Sequence, residues 1–240
     1  MSLENPSLRD RWGKRLKTSW AAVLAAMILV LLISGGALWL GNVLNNVPLA
    51  LSSILLALLM ISGLLWLRRS SWREFGLRRP KNWTRTLLLA VGGVITIHVL
   101  VGRILSPLVI DLTNQPVDIS RFDALRGNLT ALISGLIIVW TLAAFGEEMI
   151  FRGFVLNRIV GLFKNKNTGW AIALVLTSIV FGMGHFYQGL SGIILTGIVG
   201  VIYAFAYLAD RCNLWVPILS HGLYDTSAFL IIFFNLDKSL

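Results

Sequence analysis

Seven apolar runs limit what this 240-residue chain can fold into. They lie at about 19–41, 47–67, 84–105, 130–160, 168–186, 189–208 and 214–234. Each reaches or approaches the roughly 20 residues that a helix needs to cross a hydrocarbon core. Only 13% of the residues are charged, against about 25% in a soluble domain. The expected fold is all-α: a polytopic transmembrane bundle of about seven spans, within a range of six to eight. A membrane domain over 19–240 uses the whole length behind a basic segment at 1–18. The first run is long for a signal-peptide core and has no small-x-small cleavage site at its end, so it is read as a retained span.

The net charge of +10 raises the question of nucleic acid, but its distribution answers otherwise. Basic side chains gather in short loops between apolar runs, where topology and anionic lipid account for them. Residues 68–85 carry seven, against Glu74 alone, and 152–167 carry four and no acid, whereas 106–126 hold three aspartates against Arg121 and Arg126. This alternation puts the N-terminus in the cytoplasm. The expected location is integral to a bacterial plasma membrane, with lipid and no nucleic acid as partner. The connector SSWREFGLRRPKNW (70–83) suits either the headgroup layer or a plain basic loop. Cys212 is the single cysteine, which excludes an intramolecular disulfide.

Eight of the eleven acidic residues fall in loops or tails; Glu147, Glu148 and Asp225 do not. The three histidines, His98, His185 and His221, also lie within or at the ends of apolar runs. An ionisable group at membrane depth costs at least about 2.5 kcal/mol, so these residues are functional candidates by default. In GEEMIFRG, Glu148 and Arg152 stand at i and i+4 in the favourable order for a helical ion pair. Glu147 points about 100° away and is left free to act as a general base; the plainer alternative is a solvated glutamate at a helix end. In VFGMGHF, His185 follows Phe181 by four residues, with Gly182 and Gly184 between them. In LSHGLYD, His221 and Asp225 share a helix face, a spacing that suits metal ligands, a carboxylate-oriented histidine or a structural pair. His98 has no acidic or histidine neighbour within a turn and is expected to be structural. The glycines between 182 and 200 read as close-packing positions for the fifth and sixth spans.

EEMIFRG, FGMGH and SHGLYD, in that order, resemble the motif set of the CPBP family, also called the CAAX-protease or Abi family of intramembrane proteases. The resemblance covers about 130–235, which becomes the expected catalytic core, and WREFGL also looks familiar. It implies an intramembrane endopeptidase that hydrolyses a peptide bond. Glu147 would be the catalytic glutamate, Glu148 and Arg152 a supporting pair, His185 the second-motif histidine, and His221 with Asp225 the last motif. Members have been discussed both as metalloproteases and as metal-free glutamate proteases. Many carry asparagine where this chain has Asp225. An ionised aspartate cannot donate to an oxyanion, so Asp225 is protonated, binds a metal or orients His221. Glu147, His185, His221 and Asp225 would form a ligand set for Zn2+ or another divalent ion, although no HExxH helix is present.

Depth poses a difficulty, because simple spans put His185 toward the outer end of the fifth run and Glu147 and His221 nearer the cytoplasm. A break in the fifth span at its glycines, or a tilt of the fourth, would bring them together. The alternative function is non-enzymatic: a proton-coupled transporter, or an immunity or scaffold protein, using the same buried polar residues. The absence of an internal repeat weighs against the transporter. The substrate is a peptide or protein that reaches the membrane.

Overall fold

A computed structural model describes residues 20–44 and 46–238; the basic segment expected at 1–18 lies outside the described residues. The chain folds into helices α1 (Trp20–Val43), α2 (Val47–Leu67), α3 (Trp83–Thr113), α4 (Leu129–Gly161), α5 (Lys166–Met183), α6 (Gly189–Ala209) and α7 (Trp215–Phe233). Among the described residues there is no strand. Six of the helices, α2 to α7, are long and apolar enough to cross a membrane, and α1 contributes a shorter apolar stretch, Met27–Val43. Large apolar side chains face outward along them, with Leu59, Leu88 and Leu112 each more than two-thirds exposed. A soluble surface does not carry apolar area on this scale, whereas lipid covers it.

Asparagine starts four of these helices. Asn46, Asn82, Asn128 and Asn165 each accept a backbone N–H from the first turn beyond them, from Leu49, Arg85, Ala131 and both Asn167 and Thr168 respectively. This satisfies donors that a helix leaves unpaired at its start.

The sequence pattern marks most helix ends to within two or three residues, with α3 the exception. Its run was expected to stop near residue 105, yet the helix continues to Thr113. A π-helical stretch, Ile97–Leu105, precedes Ser106 and Pro107. Proline removes a backbone donor and crowds the preceding turn, and the wider i→i+5 register just before it accommodates that change. Helix α4 carries two more such stretches, Val139–Glu147 and Met149–Val155, and these hold the first motif.

The loops sort to two ends of the bundle. At one end, the Arg78 guanidinium donates to the Arg211 carbonyl at 2.6 Å, Arg85 donates to the Ala209 carbonyl at 2.9 Å, and Arg158 lies near enough to Arg68 to feel its charge. At the other end, Arg126 pairs with Asp237 at 2.7 Å, the Asp118 N–H donates to the Gln188 carbonyl, and Arg121 donates to Asn42. The 70–83 connector belongs to the first end and is docked rather than loose. It forms a short turn, Trp72–Phe75; Phe75 is buried, and its carbonyl accepts from the Tyr207 hydroxyl at 3.1 Å. Gly76, at φ 101°, leaves no room for a Cβ against the Cys212 carbonyl and the Tyr207 ring.

Helix α7 packs on α3, α4 and α6. It therefore delivers the third motif directly against the first. Helices α5 and α6 approach closely at Gly182, where a Cβ would lie 2.4 Å from the Ile193 carbonyl oxygen and 3.0 Å from Gly197.

Candidate active site

The first motif sits inside α4 on π-helical backbone, a register that often marks functional positions. Glu148 and Arg152 form an ion pair at 2.9 Å, with side chains 0% and 1% exposed. The Arg152 guanidinium also donates to the Gly200 carbonyl on α6 at 2.8 Å and lies over the Phe181 ring of α5 at 4.4 Å. One arginine thus ties α4, α5 and α6 together around the site.

Glu148 has a second partner, since its Oε1 accepts from His221 Nδ1 on α7 at 3.0 Å. The other ring nitrogen, Nε2, lies 3.4 Å from Asp225 Oδ2. A proton between Nε2 and the Asp225 carboxylate makes that contact attractive. The His221 ring stacks on Tyr203 of α6, at 4.8 Å between centroids and 21° between planes. His221 is therefore held on both nitrogens and one face.

Glu147, one residue before this buried pair, is not absorbed by it. Its Oε2 is buried with no hydrogen-bond partner among the described residues. It is close enough to His185, His221 and Asp225 to feel their charges.

His185 comes two residues after α5 ends, and it opens the short turn Phe186–Gln188. Its Nδ1 lies 2.9 Å from the Phe181 carbonyl oxygen. A carbonyl can only accept, so Nδ1 carries the hydrogen. In the neutral ring, Nε2 is then left with its lone pair. The difficulty over depth is met by the early stop of α5 and the length of α4, since Glu147 and His185 line one cavity.

That cavity has a volume of about 700 Å³ and mostly apolar walls. It runs from Leu31 and Ala57, midway along α1 and α2, to Asn42, Val47 and Arg121 at the end opposite the basic loops. Among the described residues lining it, Glu147 is the one carboxylate, Arg121 the one cation and His185 the one histidine.

The four side chains considered for a divalent ion do not converge. Both His221 nitrogens face carboxylates on the protein, while Glu147 and His185 face the cavity. Among the described residues, no three His, Cys, Asp or Glu side chains are arranged around one point. This donor set does not fit a three-ligand centre.

His98 is a helix-to-helix link: its Nε2 lies 2.8 Å from the Ser227 hydroxyl of α7, and its ring packs on Tyr224. Sequence reasoning missed Tyr203, Gly200 and Arg121. The glycine pattern placed α6 beside α5, but nothing in it singles out the Tyr203 ring as the His221 support.

Residues 129–227 match the family model of type II CAAX prenyl endopeptidase Rce1-like proteins. No curated protein and no solved structure matches the chain. All three motifs fall inside the matched segment. That segment is similar to the Rce1-like family of CAAX-type intramembrane proteases, hydrolases that act on peptide bonds.

Proposed function

We propose that this protein hydrolyses a peptide bond placed between Glu147 and His185, by water that Glu147 activates. One observation carries the reading: an unpartnered carboxylate oxygen and a histidine with a fixed Nδ1–H share the wall of an apolar cavity. Water held between Glu147 and His185 Nε2 attacks the scissile carbonyl carbon. Glu147 takes the water proton, and the tetrahedral centre collapses as that proton passes to the leaving amine. A positioned base of this kind is worth about 10²- to 10⁴-fold in rate.

Glu148, Arg152 and His221 do not exchange protons with substrate in this scheme. They are positioning residues that fix α4 against α6 and α7, so that Glu147 keeps its direction. Asp225 holds the His221 ring at Nε2. No step runs through a metal, and cleavage is expected to survive a chelator.

The cavity walls favour a substrate whose scissile bond adjoins a large apolar group, such as a lipidated cysteine. The clustering of basic loops at one end supports an N-terminus in the cytoplasm. The test is cleavage of a farnesylated peptide and its unmodified counterpart by the full chain in proteoliposomes. At least tenfold faster cleavage of the farnesylated peptide is expected. Equal rates would contradict the substrate reading, and no cleavage of either would contradict the activity. Proton transport by the same vesicles without cleavage would favour the transporter reading instead.

A further inference from the structure

We propose that Arg121 binds the C-terminal carboxylate of the substrate and so sets how far from the chain end the cut falls. This rests on the peptidase reading above and concerns the same cavity. Arg121 lies in the short turn Ser120–Leu125 between α3 and α4, and among the described residues it is the one cation on the cavity wall. An arginine there needs a reason, because the rest of that wall is mostly apolar.

The guanidinium is held but not neutralised. Nη1 donates to Asn42 Oδ1 of α1 at 2.5 Å, and the Asn42 amide in turn donates to the Leu38 carbonyl. Its plane lies over the Tyr187 ring, 4.2 Å from Cζ to centroid. The turn itself is pinned, with the Asp118 N–H donating to the Gln188 carbonyl and the Asp118 carboxylate accepting from the Ser120 N–H. Asp118 is near enough for its charge to be felt, yet it forms no ion pair with Arg121. Nε and Nη2 have no protein acceptor among the described residues. They form the fork that recognises a carboxylate in two parallel bonds.

The distance to the chemistry is short. Tyr187 touches both sides, with its ring 5.9 Å from the His185 ring and 4.2 Å from the Arg121 guanidinium. Those two steps put Arg121 no more than about 10 Å from His185, which an extended chain covers in about three residues at ~3.3–3.6 Å each. A carboxylate held at Arg121 therefore places the scissile bond at Glu147 and His185 within about three residues of the C-terminus.

The test uses farnesylated peptides identical except for a free C-terminal carboxylate or a C-terminal amide, with the full chain in proteoliposomes. The parent protein should favour the acid by about ten- to a hundredfold in kcat/KM, the range for a charge-assisted hydrogen bond. Arg121→Gln should lose that preference by slowing chiefly on the acid, and a melting temperature within a few degrees of the parent's would show that the fold is intact. Arg121→Lys should restore part of the preference. If the parent cleaves acid and amide equally, or if Arg121→Gln slows on both alike, Arg121 is a structural strut and the proposal fails. Cleavage of neither peptide by the parent would overturn the peptidase reading, and this assignment with it.

Discussion

Arg152→Leu should be among the most destabilising substitutions in the bundle, and the size of the effect decides what kind of interaction holds the site. Two magnitudes compete. Neutral hydrogen bonds between membrane helices average about 0.6 kcal/mol, because helices separated in lipid find other partners. Removing one member of a buried ion pair costs about 3–5 kcal/mol, because the remaining charge is stranded. Glu148 is 0% exposed, and among the described residues His221 Nδ1 would be its one remaining partner. The Gly200 carbonyl would lose its guanidinium donor as well. The larger figure therefore applies, about two to three and a half orders of magnitude in the folded-to-unfolded ratio. The control is Glu148→Gln combined with Arg152→Leu. Its amide oxygen still accepts from His221 while the stranded charge is gone, so the double variant should be at least about 1 kcal/mol more stable than Arg152→Leu alone. Unfolding in mixed micelles of rising denaturing-detergent content measures both. An Arg152→Leu loss under about 1 kcal/mol, or a double variant no more stable than the single, would refute the stranded-charge reasoning.

Gly182→Ala should destabilise by about 1–3 kcal/mol, because the new Cβ meets the backbone oxygen of Ile193 rather than a yielding side chain; thermal unfolding of the purified protein reads it. Tyr207→Phe should cost about 1–3 kcal/mol by leaving the Phe75 carbonyl short of its donor, while the Asn157 amide keeps the Arg152 and Gly153 carbonyls, and it should expose the 70–83 connector to limited proteolysis. His185→Gln should keep the melting temperature within a few degrees and lower kcat by at least about 10²-fold, since among the described residues the ring's one hydrogen bond is to the Phe181 carbonyl; single-turnover cleavage checks it.

The elements of this site that depend on local spacing were legible in the sequence. The Glu148–Arg152 pair survives even though the backbone there is π-helical, because both side chains reach the same buried point. His221 and Asp225 meet one turn apart, as the spacing requires. What the sequence could not yield is contact across the chain. His221 reaches Glu148 over 73 residues, Arg152 reaches Gly200 over 48, and Arg121 reaches Asn42 over 79. No periodicity carries such pairings, since they follow from which helices pack together. Helix α3 shows the other limit. The apolar run ends near residue 105, yet a change of register carries the helix past Pro107 to Thr113.

The account stands or falls on Glu147 as the base. The most direct measurement compares the parent protein and Glu147→Gln on a farnesylated peptide, with the melting temperature of each recorded and a chelator added to half of the samples. Glu147→Gln should retain the parental melting temperature and lose cleavage by at least about 10²-fold, with the chelator changing neither rate. A variant that folds normally and cleaves at the parental rate would contradict the account.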